Sequence, residues 1–202
     1  MQVAMKCVIK YFLNKDISLE KLDRLTGRKN NFWTWTSQIV PVLYDFGLDV
    51  KYYSKTDIKL FLNGKEFIKK HFGEDAEKIL KFTDVILKFT DVNILLDSIR
   101  KLMKYSIFEK RKLEFKEIED HISKGHVPLM LIDYNKIAGR EELYQGHFVV
   151  VTGFDENNVY HHESGPENPE PNKKVSKQIF IEAWNANGTD NDVVIVYGKR
   201  KN

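Results

Sequence analysis

The sequence has few of the features that mark secreted, membrane-spanning or disordered proteins. It contains one cysteine, Cys7, in 202 residues, so no internal disulfide framework is possible and a reducing compartment is expected. No run approaches the roughly 20 apolar residues that a membrane-spanning helix needs. Because Lys6 and Lys10 interrupt the apolar opening stretch, it does not resemble a signal peptide. With 42% hydrophobic residues, the chain is not disordered throughout, and we expect a soluble cytoplasmic protein.

Sequence signatures of common ligands are also missing. There is no Gly-rich phosphate-binding loop, no HExxH motif and no paired CxxC motif. The 32 Lys and Arg residues nearly balance 29 Asp and Glu residues, and a net charge of +3 is too small to indicate a nucleic-acid partner. The sequence therefore predicts no cofactor, no metal, no nucleic-acid partner and no membrane partner.

The front of the chain has the periodicity of helices, followed by one strand. Apolar residues at three- and four-residue spacing predict helices over 3–13, 18–27 and 36–46, and the alternating LDVKYYS at 48–54 predicts a strand. From 57 to 124 the pattern is almost wholly helical and proline is absent.

A tandem repeat lies inside this helical segment, with KFTDVIL at 81–87 followed by KFTDVNI at 88–94. Phe82, Ile86 and Phe89 fall on one stripe of a helix. Two heptads are too few for a coiled coil, so the repeat predicts a duplicated turn of a packed helix.

After Gly125 the pattern changes to strands. The predicted strands are 127–134, 147–154, 158–163 and 192–198. A loop with three prolines follows the third strand, and Ser176 begins a short helix that ends at Trp184. Helices in front of an antiparallel sheet predict an α+β fold.

The residues with the clearest chemical potential are His147 and Glu163. Side chains alternate faces along a strand, so His161 and Glu163 share a face, and the hairpin folds Glu163 back toward His147. A carboxylate beside an imidazole orients the ring and stabilises its protonated form. Two alternatives remain open: His147 caps a strand and Glu163 is solvated, or His147, His161 and Glu163 bind a zinc ion.

The segment GHFVVVTGFDENNVYHHESGP at 146–166 resembles the His–Asp hairpin of papain-like cysteine peptidases of the C39-like kind. His147 matches the general base and Glu163 stands in the place of the Asp. The front half resembles that family's N-terminal helical lobe. The resemblance implies a papain-like fold in a single domain over 1–202. A helical lobe with one strand would cover 1–57, a helical insertion 58–125 and an antiparallel sheet lobe 126–202.

The same resemblance implies a cysteine peptidase or related acyl-transfer hydrolase that acts on a peptide or acyl substrate. His147 would serve as base and then acid, and Glu163 would orient it. The alternative is a catalytically inactive peptidase fold that binds a peptide or a protein partner.

Cys7 has two interpretations in this scheme, nucleophile or core residue. The aromatic pair Tyr11-Phe12 aligns the opening helix so that Cys7 lies mid-helix and the nucleophile falls before Met1. A mid-helix thiol lacks the exposed N-terminal amides that stabilise a thiolate, so the core interpretation is favoured. We therefore expect that the nucleophile segment is missing from the N-terminus. We also expect that Cys7 lies away from His147, with the helix end near Gln2 pointing at that histidine.

Overall fold

The computed structural model describes residues 1–30, 32–64, 90–165 and 169–201. Its helices are α1 (Gln2–Leu13), α2 (Leu19–Thr26), α3 (Thr36–Asp45), α4 (Val92–Tyr105), α5 (Phe115–Ser123), α6 (Tyr134–Ile137) and α7 (Lys177–Trp184), with a 3-10 helix over Ile58–Asn63. Its strands are β1 (Leu48–Ser54), β2 (Phe108–Lys110), β3 (Val127–Asp133), β4 (Gly146–Phe154), β5 (Asn158–Glu163), β6 (Glu170–Ser176) and β7 (Val193–Lys199).

Side-chain caps begin several of these helices where the sequence places Ser or Asp. The Ser18 hydroxyl accepts a hydrogen bond from the Lys21 N–H, and the Asp91 carboxylate accepts one from the Ile94 N–H. Such bonds satisfy amides that have no partner within the helix. At the other end of α2, Gly27 takes a left-handed conformation with φ of 68°, which glycine adopts without steric cost.

The strands form one mixed sheet in the order β2-β1-β7-β3-β4-β5-β6. The β1 and β2 strands are parallel, whereas the other neighbouring pairs are antiparallel. The predicted α+β class is confirmed. The strands in the back of the chain are antiparallel to their neighbours, as predicted, but the sheet also includes β1 from the front half, which pairs with β7 and, in parallel, with β2.

Helices cover both faces of the sheet. On the first face, α1, α3 and α4 pack against alternate strand residues such as Phe148 and Val150. On the second face, α5 and α7 pack against the residues between them, including Val149 and Val151. A strand covered on both faces is apolar at every position, which explains the continuous valine run of β4.

The sequence failed to predict two edge strands. The residues of β6 lie in the predicted proline-containing loop, and β2 lies in the segment predicted to be helical. Pro171 is compatible with β6 because β6 is an edge strand, where a missing N–H need not interrupt a ladder.

Most of the 81–94 repeat lies outside the described residues, and its last three residues, 92–94, begin α4. The proposed single domain and its internal boundaries stay predictions. In the described part of the chain, no helix has the length and hydrophobicity needed to cross a membrane.

Candidate functional site

The paired β4 and β5 strands bring His147 and Glu163 into direct contact. The His147 Nε2 atom lies 2.7 Å from the Glu163 Oε1 atom, although 16 residues separate them in the chain. Register shifts occur beside Gly153 on β4 and between His161 and Glu163 on β5, which adjust how the end of β5 faces the start of β4. The His147 side chain is 15% exposed and the Glu163 side chain is 1% exposed. The predicted contact is confirmed as geometry, while its catalytic role stays a prediction.

Glu163 is held in its ionised form. Burial raises the pKa of Glu163, but the hydrogen bond and charge of His147 and the bond from the Gly165 N–H outweigh that effect, so its pKa lies below the ordinary value. The Gly165 nitrogen donates to Oε1 over 3.0 Å. Because an ionised carboxylate only accepts, the His147 Nε2 atom carries the proton and Nδ1 is left as the basic nitrogen.

The second histidine of the hairpin faces the same carboxylate from inside the protein. His161 is 0% exposed, and its ring centroid lies 5.7 Å from that of Phe180 in α7. Burial lowers the pKa of His161 to about 4 in spite of the opposing charge of Glu163, so the ring is neutral near pH 7. The His161 Nε2 atom lies 4.0 Å from Glu163 Oε2.

The buried Tyr134 of α6 packs beside His147, and an exposed loop leads from α6 into the start of β4. The Tyr134 ring stands edge-on to the His147 ring with 5.4 Å between centroids, and the Arg140 guanidinium lies 5.7 Å from the Tyr134 ring centre. Leu143 in the same loop is 92% exposed. The partly exposed His147 ring therefore lies beside Tyr134, whose ring also contacts the Arg140 guanidinium.

Cys7 belongs to the opposite face of the sheet. It is half-buried in α1 and packs against the first core cluster. With Val150 and His162 it lines a cavity of about 240 Å³. Burial raises the pKa of the Cys7 thiol, although Lys6 opposes the shift, so the thiol is protonated near neutral pH. The core interpretation of Cys7 is supported. The Gln2 side chain donates to the Thr26 hydroxyl in α2, and a first turn of α1 that points at His147 stays a prediction.

The zinc alternative finds no support in the geometry. Within the ranges that the structure covers, no group of three His, Cys, Asp or Glu side chains is arranged to hold a metal ion. The His147, Glu163 and His161 side chains instead form a row, in which the carboxylate stands between the two rings.

A second polar cluster, centred on Asp192, was missed in the sequence. Its buried carboxylate accepts hydrogen bonds from the Thr36 hydroxyl over 2.6 Å and from the Tyr52 hydroxyl over 2.9 Å. Burial raises the pKa of Asp192 to about 7, and the hydroxyl bonds oppose the shift only in part. The partners are 156 and 140 residues away in sequence, so no local pattern could have grouped them.

Comparison with known families gives a family that differs from the predicted one. The family model described as guanylylate cyclase matches residues 3–196. This match overturns the identification as a papain-like C39 peptidase and, with it, the predicted cysteine-peptidase or acyl-transfer hydrolase function. The alternative of an inactive peptidase fold is not supported either. The resemblance rested on a Gly-His start, a valine run and an acidic residue, and these features also occur in buried strands outside that family.

Proposed function

The chain belongs to the guanylylate cyclase family, and from this membership we propose that it converts guanosine triphosphate to cyclic guanosine monophosphate and pyrophosphate. The proposed reacting site is the row of His147 and Glu163 at the start of β4. The observation that carries this assignment is the 2.7 Å contact between a partly exposed imidazole and a buried, ionised carboxylate. That arrangement is suited to accepting a proton from a substrate hydroxyl group.

The proton transfer follows from the tautomer that Glu163 imposes. The His147 Nδ1 atom takes the proton of the ribose 3′-hydroxyl as O3′ attacks the α-phosphorus. The new O3′–phosphorus bond closes the cyclic ester, while the bond from the α-phosphorus to the bridging oxygen breaks and pyrophosphate leaves. Glu163 stabilises the imidazolium that forms, as a buried acid partner does for a catalytic histidine.

We infer that the triphosphate binds on the Arg140 side of the row. Across the β5–β6 pair, Glu170 stands opposite Glu163 and repels phosphate at that end of β6, while Lys173 and Lys174 lie farther along the strand. Arg140 approaches from the loop between α6 and β4 by way of the Tyr134 ring. A guanidinium binds phosphate oxygens in a bidentate manner, so we assign Arg140 to the polyphosphate.

The test is formation of the cyclic nucleotide by the purified full chain. GTP is supplied with Mg²⁺ or Mn²⁺, and cyclic GMP is detected by mass spectrometry. We expect turnover by the unaltered protein and a 10²- to 10⁴-fold lower rate for His147→Gln, the range that loss of a general base gives. His162→Gln is the matched control, because His162 is the next histidine on β5 but lines the cavity on the opposite face.

Two results would contradict this function. One is the absence of cyclic GMP although the protein binds GTP, which would indicate a nucleotide-binding module instead of a cyclase. The other is equal activity in His147→Gln and the control, which would place the chemistry elsewhere in the chain. Arg140→Ala provides a further check, since loss of a phosphate contact should raise KM for GTP more than it lowers kcat.

A further inference from the structure

The carboxylate of Glu163 has an inner neighbour that the proposed reaction does not use. Neither ring nitrogen of the buried His161 has a hydrogen-bond partner among the residues described. Glu163 Oε2 is also buried without a partner there, and it lies 4.0 Å from His161 Nε2. Two buried polar groups, one able to donate and one only able to accept, therefore face each other.

The two oxygens of Glu163 differ in how they are held. Oε1 accepts from His147 and from the Gly165 N–H, whereas among the described residues Oε2 has no hydrogen-bond partner and lies 4.0 Å from the His161 Nε2 atom. Buried polar atoms are nearly always paired, because an unpaired one loses its interaction with solvent without compensation. A movement of about 1 Å brings the two atoms into the hydrogen-bonding range. The ring of Phe180, which packs on His161, has no donor or acceptor to compete for the bond.

We propose that His161 is a positioning residue, which donates its Nε2–H to Glu163 Oε2 and so fixes the carboxylate that orients His147. The carboxylate is then held on both oxygens and cannot rotate away from the reacting histidine. The effect on catalysis rests on the proposed function, whereas the hydrogen bond itself does not depend on it.

The charges that face His161 agree with a neutral donor. They are Glu163 and His162 on its own strand, His147 from β4 and Lys173, which lies opposite His161 on β6. The α7 helix contributes the apolar Phe180. Burial lowers the pKa of His161 to about 4, so near neutral pH the ring donates as an uncharged imidazole. A charged His161 would compete with protonated His147 for the same carboxylate, and a neutral one does not.

The first test is the tautomer of His161, read from the nitrogen chemical shifts of the ¹⁵N-histidine-labelled full chain. We expect the neutral Nε2–H form from pH 6 to pH 8 and a downfield proton on that nitrogen. His161→Phe assigns the signal. A neutral Nδ1–H tautomer, or an imidazolium at pH 7, would overturn the proposal. The measurement needs no substrate, so it decides the hydrogen bond even if the protein forms no cyclic GMP and the proposed function fails.

The second test separates positioning from packing. His161→Phe fills the space without a donor, and His161→Gln retains an amide N–H near the place of Nε2. We expect kcat for GTP to fall roughly tenfold to a hundredfold in the Phe variant, as for other residues that orient a reacting group, with KM unchanged and substantial recovery in the Gln variant. His162→Gln on the same strand is the control, and circular dichroism verifies folding. Equal losses in the Phe and Gln variants, or in the control, would refute the positioning role.

Discussion

Replacing Asp192 with asparagine perturbs the most deeply buried carboxyl group of the second polar cluster. Asn keeps the shape of the side chain, and its amide oxygen can still accept from the Thr36 and Tyr52 hydroxyls. Its NH₂ group then takes the place of Asp192 Oδ1, which has no hydrogen-bond partner among the described residues. The substitution therefore removes the titration of the group with little change in packing.

The size of the effect follows from the shifted pKa. Burial raises the pKa of Asp192 to about 7, against an ordinary value of about 3.9. The folded state thus binds this proton more tightly than the unfolded state. The stability that the protonated Asp192 carboxyl contributes is complete below about pH 4 and is lost as the pH rises through about 7. About three pKa units correspond to about 4 kcal/mol of unfolding free energy.

Urea unfolding of both proteins at pH values from 4 to 8 measures this contribution. Relative to Asp192→Asn, the unaltered chain should lose about 4 kcal/mol of stability across this range. The Met1 amino group and His161 also titrate with lowered pKa values, but they are common to both proteins and cancel in the difference. Asp49→Asn, an exposed change on β1, is the control. A difference that does not vary with pH would refute the account of this cluster.

Three further predictions concern the scaffold around the site. Asp155→Ala should lower the melting temperature and speed amide exchange in the β4–β5 turn. The Asp155 carboxylate accepts hydrogen bonds from the Asn157 and Asn158 N–H groups and from the Tyr160 hydroxyl, and the variant loses them. Unchanged amide exchange would contradict this prediction. Leu102→Ala in the core should cost about 2–5 kcal/mol in urea unfolding. Burial and the charge of His126 lower the pKa of His121. The unaltered chain should therefore lose stability relative to His121→Phe as the pH falls from 7 to 5. A difference in unfolding free energy that stays constant over this range would exclude that coupling.

Local sequence patterns predicted the elements that hold the site. The strand alternation placed His161 and Glu163 on one face, and the turn at 155–158 predicted the hairpin that returns Glu163 to His147. These predictions succeeded because a two-residue period and a short turn are set by neighbouring residues. The α1 helix was predicted for the same reason, and it is observed at Gln2–Leu13.

Features that depend on distant residues could not be predicted. The bond from Tyr52 to Asp192 joins β1 to the start of β7, and neither residue is distinctive in its own segment. The edge position of β6 made Pro171 acceptable in a strand, and sheet order is not encoded in local periodicity. The family was also misidentified from the His147 hairpin, because a histidine beside a carboxylate defines a proton-transfer device and leaves the substrate open.

Chemical rescue tests the central claim, that His147 is the general base of GTP cyclisation, most directly. His147→Gly removes the ring at the partly exposed start of β4, and added imidazole can enter the space next to Glu163. We expect the variant to form cyclic GMP at a strongly reduced rate that rises with the concentration of imidazole, while the unaltered protein does not respond. A variant as active as the unaltered chain, or an inactive folded variant that imidazole does not restore, would contradict the assignment of His147 as the base.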